Sequence, residues 1–291
     1  DQSELFINIG LRAQYWDFNN EFIITPRMLI SYKPAWEKNM LFRFSSGLYY
    51  QPPYFKEMKN PEGFVNDDIK SQKSIHFVLG NDYVFNAWKR PFKLTTELYY
   101  KILNDLIPYK IDNVHLEYAG DNLAKGYAYG IDFKINGEFV QGIESWASLS
   151  LMQTKEDIKN DFYYTTDGLR VEPGYYPRPT NQLINFSLFF QDYLPMNPSY
   201  RMNLSLHYGT GLPFSSPDED RYDQVFKMRA YKRVDLGFSK VIISKEKQFE
   251  KSAWLNVFED MWISLEVFNL LDINNTISYM WVKTVNNQSG Q

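Results

Sequence analysis

From Gly126 to Gly137 the stretch GYAYGIDFKING puts Tyr127, Tyr129, Ile131, Phe133 and Ile135 on one side of an extended chain. Ala128, Gly130, Asp132, Lys134 and Asn136 fall on the other. Successive strand residues point to opposite faces, so this segment is a strand with one oily and one wet face. The oily face needs a partner, either a packed protein core or hydrocarbon. The same alternation recurs from Leu5–Gln14 through Met28–Tyr32, Phe42–Tyr50, Ile75–Tyr83 and Phe92–Lys101, and again in Ala147–Met152, Ile184–Gln191, Met202–Gly209, Arg233–Ser239 and Ile263–Phe268. No stretch of helical period competes with it. About eleven amphipathic strands result, an all-β chain.

Three features favour hydrocarbon. Many strands run for ten residues or more, where soluble strands average about five or six. Twelve residues tilted by about 40° rise about 30 Å, enough for a membrane barrel wall. Connections also alternate: Pro34–Asn39, Asn86–Pro91, Gly137–Gly142 and Leu194–Ser199 are tight and carry Pro, Gly or Asn, whereas 51–71, 105–126, 158–180 and 212–230 are long. Membrane barrels pair short periplasmic turns with long extracellular loops. The Asp17–Asn20 and Lys245–Asp260 connections break the pattern. Aromatic residues make up 18% of the chain, with Tyr49, Tyr50, Tyr99, Tyr100, Tyr127, Tyr129, Tyr193, Tyr208, Tyr231, Tyr279 and Trp281 near strand ends, as an interfacial girdle requires. No run of about 18 apolar residues exists to form a membrane-crossing helix.

The chemistry is sparse. There is no Cys, hence no disulfide and no thiolate metal site, and the three His are scattered at 76, 115 and 207 without metal-ligand spacing. No cofactor-binding or nucleophile motif is present; Gly209–Gly211 reads as a strand end. A net charge of −4 without a basic patch gives no reason to expect nucleic acid. The carboxylates of Ser215–Asp223 read as a solvated acidic loop ahead of a Ca²⁺ site, and Lys245–Lys251 as a solvated turn.

Several segments resemble the barrel of TonB-dependent outer-membrane receptors, with a flavour of the Bacteroidetes type. GLRAQYWDFNNEFIITPRMLISYKP followed by MLFRFSSGLYYQPPYFKEM carries that family's Ser/Thr-Pro-Arg strand, tight turn and aromatic–Pro element. FKLTTELYYKILNDLIPY, GYAYGIDFKINGEF, WASLSLMQTKED, RVDLGFSKV and ISLEVFNLLDINN look like its later strands. The resemblance implies an antiparallel transmembrane β-barrel of about 22 strands filled by a plug. About eleven of those strands are here, with residues 1–291 as one partial barrel domain and the plug and closing strand outside it. It further implies a non-enzymatic receptor in the Gram-negative outer membrane, long loops outside, that imports a scarce nutrient with energy relayed by TonB through the plug. Iron chelates, cobalamin and glycans are all carried by the superfamily. Its large glycan importers work with a surface lipoprotein, a partner nothing in these residues favours.

On this reading the exposed loop aromatics Tyr54, Phe55, Tyr109, Tyr118, Phe162, Tyr163, Tyr164, Tyr175 and Tyr176 are the ligand-facing candidates. Arg27, Arg43, Glu97, Asp132, Lys134, Arg233, Asp235 and Glu266 face the lumen, where generic solvation or plug contact would use them. A passive porin and a soluble all-β binding domain are the alternative readings.

Overall fold

The structure is a computed structural model that describes residues 2–112, 115–194, 197–215, 220–223, 226–243 and 258–279. The Lys245–Lys251 turn and Trp281 lie outside the described residues. Eleven strands, numbered here β1 to β11, follow one another around a single antiparallel sheet. They are β1 Glu4–Trp16, β2 Glu21–Lys33, β3 Asn39–Gln51, β4 Gln72–Ala87, β5 Arg90–Leu106 and β6 Ala124–Val140. Then come β7 Ile143–Ile158, β8 Ile184–Leu194, β9 Asn197–Gly209, β10 Tyr231–Ile243 and β11 Met261–Val267. Each pairs with its sequence neighbours, and β1 and β11 have one partner each among the described residues. β5 and β6 reach 17 residues.

The register carries the oily alternation from strand to strand through the middle of the wall, and its shifts fall near strand ends, at Leu103/Leu106, Gly137/Val140, Tyr193/Leu194 and Val241/Ile243. One row of paired residues runs Ile7, Ile30, Phe44, Leu79, Leu98, Ile131, Leu151, Ile184, from β1 to β8. All eight are large and apolar, and Ile7, Leu79 and Leu98 are more than half exposed. In a soluble protein such a row would be the core; here it is the outside, an exposed apolar area far beyond what a monomeric soluble surface shows. The neighbouring row on the opposite face runs Asp82, Thr95, Lys134, Ser148, Ser187, His207, Arg233, with every member polar. Apolar-out and polar-in is the arrangement of a membrane barrel wall. The soluble all-β alternative is excluded by it.

The strands also slide against the rows. Ile7 is the fourth residue of β1 counted from its free end, whereas Ile184 is the first residue of β8 at the loop end. Between the midpoints of β1 (Gly10) and β8 (Phe189) the slide is about eight residues over seven inter-strand gaps, about 26 Å along against about 34 Å across. That is a tilt of about 38°, inside the range of transmembrane barrels.

Short connections collect at one end: 34–38, Trp88–Lys89 and 141–142. Trp88 and Lys89 both have positive φ, 52° and 61°, so they form the type of two-residue turn whose twist suits a hairpin. Beside this turn Phe92, 2% exposed, packs edge-on against Trp88 and Phe139 and stacks on Phe85. It lies over Gly137, where a Cβ would stand 2.5 Å from its ring. Long connections 52–71, 107–123, 159–183 and 210–230 share the other end, as the alternation of lengths predicts.

The aromatic positions need one correction. Tyr50, Tyr100, Tyr127, Tyr129 and Tyr208 point outward at the loop end, but Tyr49, Tyr99, Tyr193 and Tyr231 share the inner face with Arg43, Glu97, Arg201 and Arg233. Tyr49 stacks on His76 at 4.3 Å under the Arg27 guanidinium, and Tyr99 lies over Gly130. Standing an even number of residues from the inward polar side chains of the same strand decides their face, and closeness to a strand end does not.

A charge placed on the outward row should therefore harm assembly where one removed from the inner face does not. Ile131→Lys is expected to cost about 2–4 kcal/mol of barrel stability, and Asp132→Asn little. Heat-modifiable mobility of the membrane-inserted protein measures the difference, and equal effects would reverse the assignment of faces.

Candidate functional site

Two polar assemblies stand out, one on the inner wall and one beneath the loops. On the wall, the Arg43 guanidinium donates to Asp82 and to Glu97, both at 3.1 Å, although Glu97 is two strands away. Gly80 lies between them and makes this reach possible: a Cβ there would sit 3.4 Å from the Arg43 Nε and Nη2 atoms. Asp82 also accepts from Lys93 at 3.2 Å and from the Thr95 hydroxyl at 2.9 Å. Asp132 accepts from the Ser150 hydroxyl. Together with Lys134 and Ser148 these groups line an inward recess of about 480 Å³. Further round the wall Arg233 donates to Asp235 at 2.7 Å, and Asp235 also accepts the Asn269 backbone N–H. Arg27, Arg43, Glu97, Asp132, Lys134, Arg233, Asp235 and Glu266 all occupy the inner face. Asp82, the most connected acid of the group, is absent from the sequence-derived set, although its alternation with Tyr83 marks it as inward.

Beneath the loops the centre is Glu156, at the loop end of β7 and 2% exposed. Two arginines from two different loops reach it: Arg178 through Nε at 3.1 Å, and Arg221, itself 6% exposed, through Nη2. Arg221 also donates to the backbone carbonyl of Tyr109, so one side chain ties 210–230 to β7 and to 107–123. Its buried Nε has no hydrogen-bond partner among the described residues. A buried carboxylate is tolerated only when paired and hydrogen-bonded, which these two cations accomplish.

A small apolar core supports the arrangement, with Met58, Ile69 and Ile107 buried together and Trp16 and Tyr118 packed on them. The loops are further stitched by Asn122, whose side chain accepts from the Lys70 N–H and donates to the Lys70 and Asp105 carbonyls. Gly120, at φ +69°, lies against the backbone of Asn60, where a Cβ would be 2.5 Å away. The short Asp17–Asn20 turn takes part as well, because Asn19 donates to the Ile69 carbonyl.

Over this base opens a cleft of about 290 Å³, lined by Pro61, Pro108, Tyr109, Tyr118, Asp161, Tyr176, Asp220, Arg221 and Tyr222 among others. Of the candidate loop aromatics, Tyr109, Tyr118 and Tyr176 line it. Tyr163 reaches it through Tyr222, ring centroids 5.6 Å apart. Tyr54, Phe55 and Tyr164 are exposed away from it, Phe162 packs on Tyr164, and Tyr175 packs outward on Tyr127. Tyr176 is buried and donates to Asp161 at 3.0 Å; burial, then the Asp161 charge, raise its pKa far above the ordinary phenol value. Burial raises Asp161 too. Tyr222 donates to Asp220, which pushes its phenol up to about 12.

Glu156, Arg178, Arg221 and Tyr222 do not figure among the sequence-derived candidates. Arg221 lies in the acidic stretch Ser215–Asp223, of which 216–219 lie outside the described residues.

The wall, the tilt and the one-sided loops define a transmembrane β-barrel of the outer-membrane kind, and comparison with known proteins narrows this. The family model described as TonB dependent receptor-like, beta-barrel matches residues 3–270. The chain belongs to that family, whose barrels are outer-membrane proteins. Similar solved structures include the outer membrane transporter YddB from Escherichia coli, at TM-score 0.61 and 13% identity over 92% of this chain and 39% of that one. The copper transporter OprC matches at TM-score 0.59 and 14% identity over 95% of this chain and 40% of its own. The ferric-catecholate import receptor Fiu from K12 E. coli, in its closed form, matches at 0.56 and 16%, over 88% and 32%. At these identities the likeness is one of fold, and the chain spans 32% to 40% of those structures' lengths. No curated protein matches the chain.

Removing the carboxylate at the centre should release the loops and leave the wall intact. Glu156→Gln leaves Arg178 and Arg221 short of a counter-charge, a local cost of about 3–5 kcal/mol. Hydrogen exchange is expected to speed up in 107–123 and 159–183 with β4 to β7 unchanged. The raised phenol of Tyr222 sets a pH window as well. A folded pKa above the unfolded value of 10.0 contributes stability that is complete below pH 10 and lost as pH rises through about 12. Near-ultraviolet circular dichroism should record loop opening in that window, weaker in Tyr222→Phe.

Proposed function

We propose that the whole protein is an active-transport receptor of the outer membrane. It captures a scarce nutrient at the loop end and passes it through the lumen with energy relayed by TonB. Residues 1–291 are one part of its barrel wall, and further strands pair with β1 and β11, because unpaired edge N–H and C=O groups are not tolerated in hydrocarbon. No bond in the nutrient is made or broken. An iron chelate, cobalamin or a glycan is the cargo class, taken first by the cleft between Tyr109, Tyr118, Tyr176 and Tyr222.

The observation that carries the reading is the joining of three long loops through Glu156 and Arg221 above a polar lumen. A passive pore gains nothing from a mouth drawn together by buried ion pairs, whereas a receptor needs loops held in place around its ligand. The cleft supports capture: aromatic walls supply contact area at low entropic cost, and Asp161 and Asp220 offer acceptors.

Growth and uptake under separate limitation for iron, cobalamin and complex glycans test this. Tyr109→Ala combined with Tyr118→Ala is expected to lower uptake of one nutrient about tenfold, about 1.4 kcal/mol of binding. Depletion of TonB should abolish that uptake. Transport that persists undiminished without TonB would identify a passive channel instead.

A further inference from the structure

The outward surface of the wall is not uniform along its height. At the short-turn end its residues are mainly aromatic or aliphatic, among them Tyr32, Phe42, Tyr83, Phe85 and Phe92. The outward cations of the strands there are turned onto the protein, Arg90 donating to the Phe139 carbonyl and Lys240 lying 5.0 Å from the Tyr200 ring, while Lys38 and Lys89 stand exposed on the turns. The loop end differs. Lys73, Lys125 and Lys155 are outward by register, sharing their faces with Leu79, Ile131 and Leu151. Each sits within four residues of the loop end of its strand, β4, β6 and β7.

From the register, Lys73 and Lys125 stand two strands apart on one level, about 10 Å. Lys125 and Lys155 are diagonal neighbours, about 7–8 Å apart. Tyr50 and Tyr127 stand directly opposite Lys73 and Lys155, and Tyr100 and Tyr129 lie just below, the level at which an apolar wall gives way to headgroups. Lys73 lies 5.8 Å from the Tyr50 ring, and Lys125 lies 5.8 Å from the Tyr175 ring. The one outward carboxylate among them, Asp157, pairs with Lys125 at 3.2 Å. That leaves a surplus of two positive charges on a surface otherwise built to meet lipid. Neither Lys73 nor Lys155 has an ion-pair partner among the described residues.

We propose that Lys73, Lys125 and Lys155 form a binding site for the phosphate-bearing headgroup of the lipid that surrounds the loop end of the barrel. The tyrosines receive the acyl-chain boundary, and the lysines, on stems long enough to reach past the rings, receive the phosphates. Lysine suits the task as a compact, mobile point charge that follows a headgroup without demanding one orientation. This site is separate from the cleft and the lumen and serves retention in the membrane, not cargo. It rests on the barrel reading, which puts the loop end at the outer leaflet, where the lipid is a phosphorylated glycolipid.

The test uses the full-length receptor, comparing wild type with the triple variant K73Q/K125Q/K155Q and the short-turn control K89Q. Each is reconstituted in phosphatidylcholine bilayers containing either diphosphorylated lipid A or its dephosphorylated form. Lipid that remains bound is counted by native mass spectrometry after extraction. Wild type and K89Q are expected to retain the phosphorylated lipid with an apparent affinity about tenfold or more above the triple variant. That difference should shrink at high salt and vanish for the dephosphorylated lipid. Equal retention by the triple variant, or no preference for the phosphorylated form, overturns the site while the barrel stands. Failure of wild type to insert with heat-modifiable mobility overturns the barrel reading itself.

Discussion

Hydrocarbon offers no hydrogen bonds, and that single fact organises this chain. Each N–H and C=O within the membrane must find its partner in the next strand, so strands must be long, antiparallel and continuous in register. Once pairing is continuous, the two faces separate without further instruction. A row such as Ile7 to Ile184 is apolar because each member is an even number of residues from its strand-mates on the outer face. The row from Asp82 to Arg233 is polar for the complementary reason. Packing in the ordinary sense contributes little to the wall, and the compact apolar core of the described residues, Met58, Ile69 and Ile107, lies outside it, under the loops.

The loops are held by a different physics. Above the membrane, water competes for each polar contact, and burial is what gives the Glu156 cluster its strength. Two arginines sharing one carboxylate form a junction that fails as a unit, because loss of the acid leaves two cations without their common partner. The wall has no such dependence on one residue. Its inner-face ion pairs, such as Arg43 with Asp82 and Glu97, stand partly open to the lumen and individually matter less.

The wall was legible in the sequence because alternation is local. Parity alone puts Arg43, Glu97, Asp132 and Lys134 on the polar face of their strands, and the register joins those faces from one strand to the next. Parity also assigns Tyr49 and Tyr99 inward, so treating them as girdle residues neglected a signal already present. The junction was not legible. Arg221 meets Glu156 across 65 positions and the Tyr109 carbonyl across 112, and no spacing in the chain announces either meeting. A charged residue in an acidic loop reads as solvated until the loops that bury it are placed. Of the nine loop rings only three, Tyr109, Tyr118 and Tyr176, line the cleft itself, since a ring's sequence position says nothing of which neighbour will cover it.

The tilt has a geometric corollary for the lumen. Hydrogen-bonded rows run perpendicular to the strands, so a row in a wall leaning by about 38° is itself inclined to the membrane plane. Asp82 lies five residues from the short-turn end of β4, whereas Arg233 lies two residues from the loop end of β10. Between them Thr95, Lys134, Ser148, Ser187 and His207 ascend about 18 Å over about 29 Å of wall. The inner surface is thus threaded, like the inside of a nut, with part of a turn of donors and acceptors. A solute following those groups would descend by rotating, exchanging partners one strand at a time, without ever crossing the apolar side of the wall.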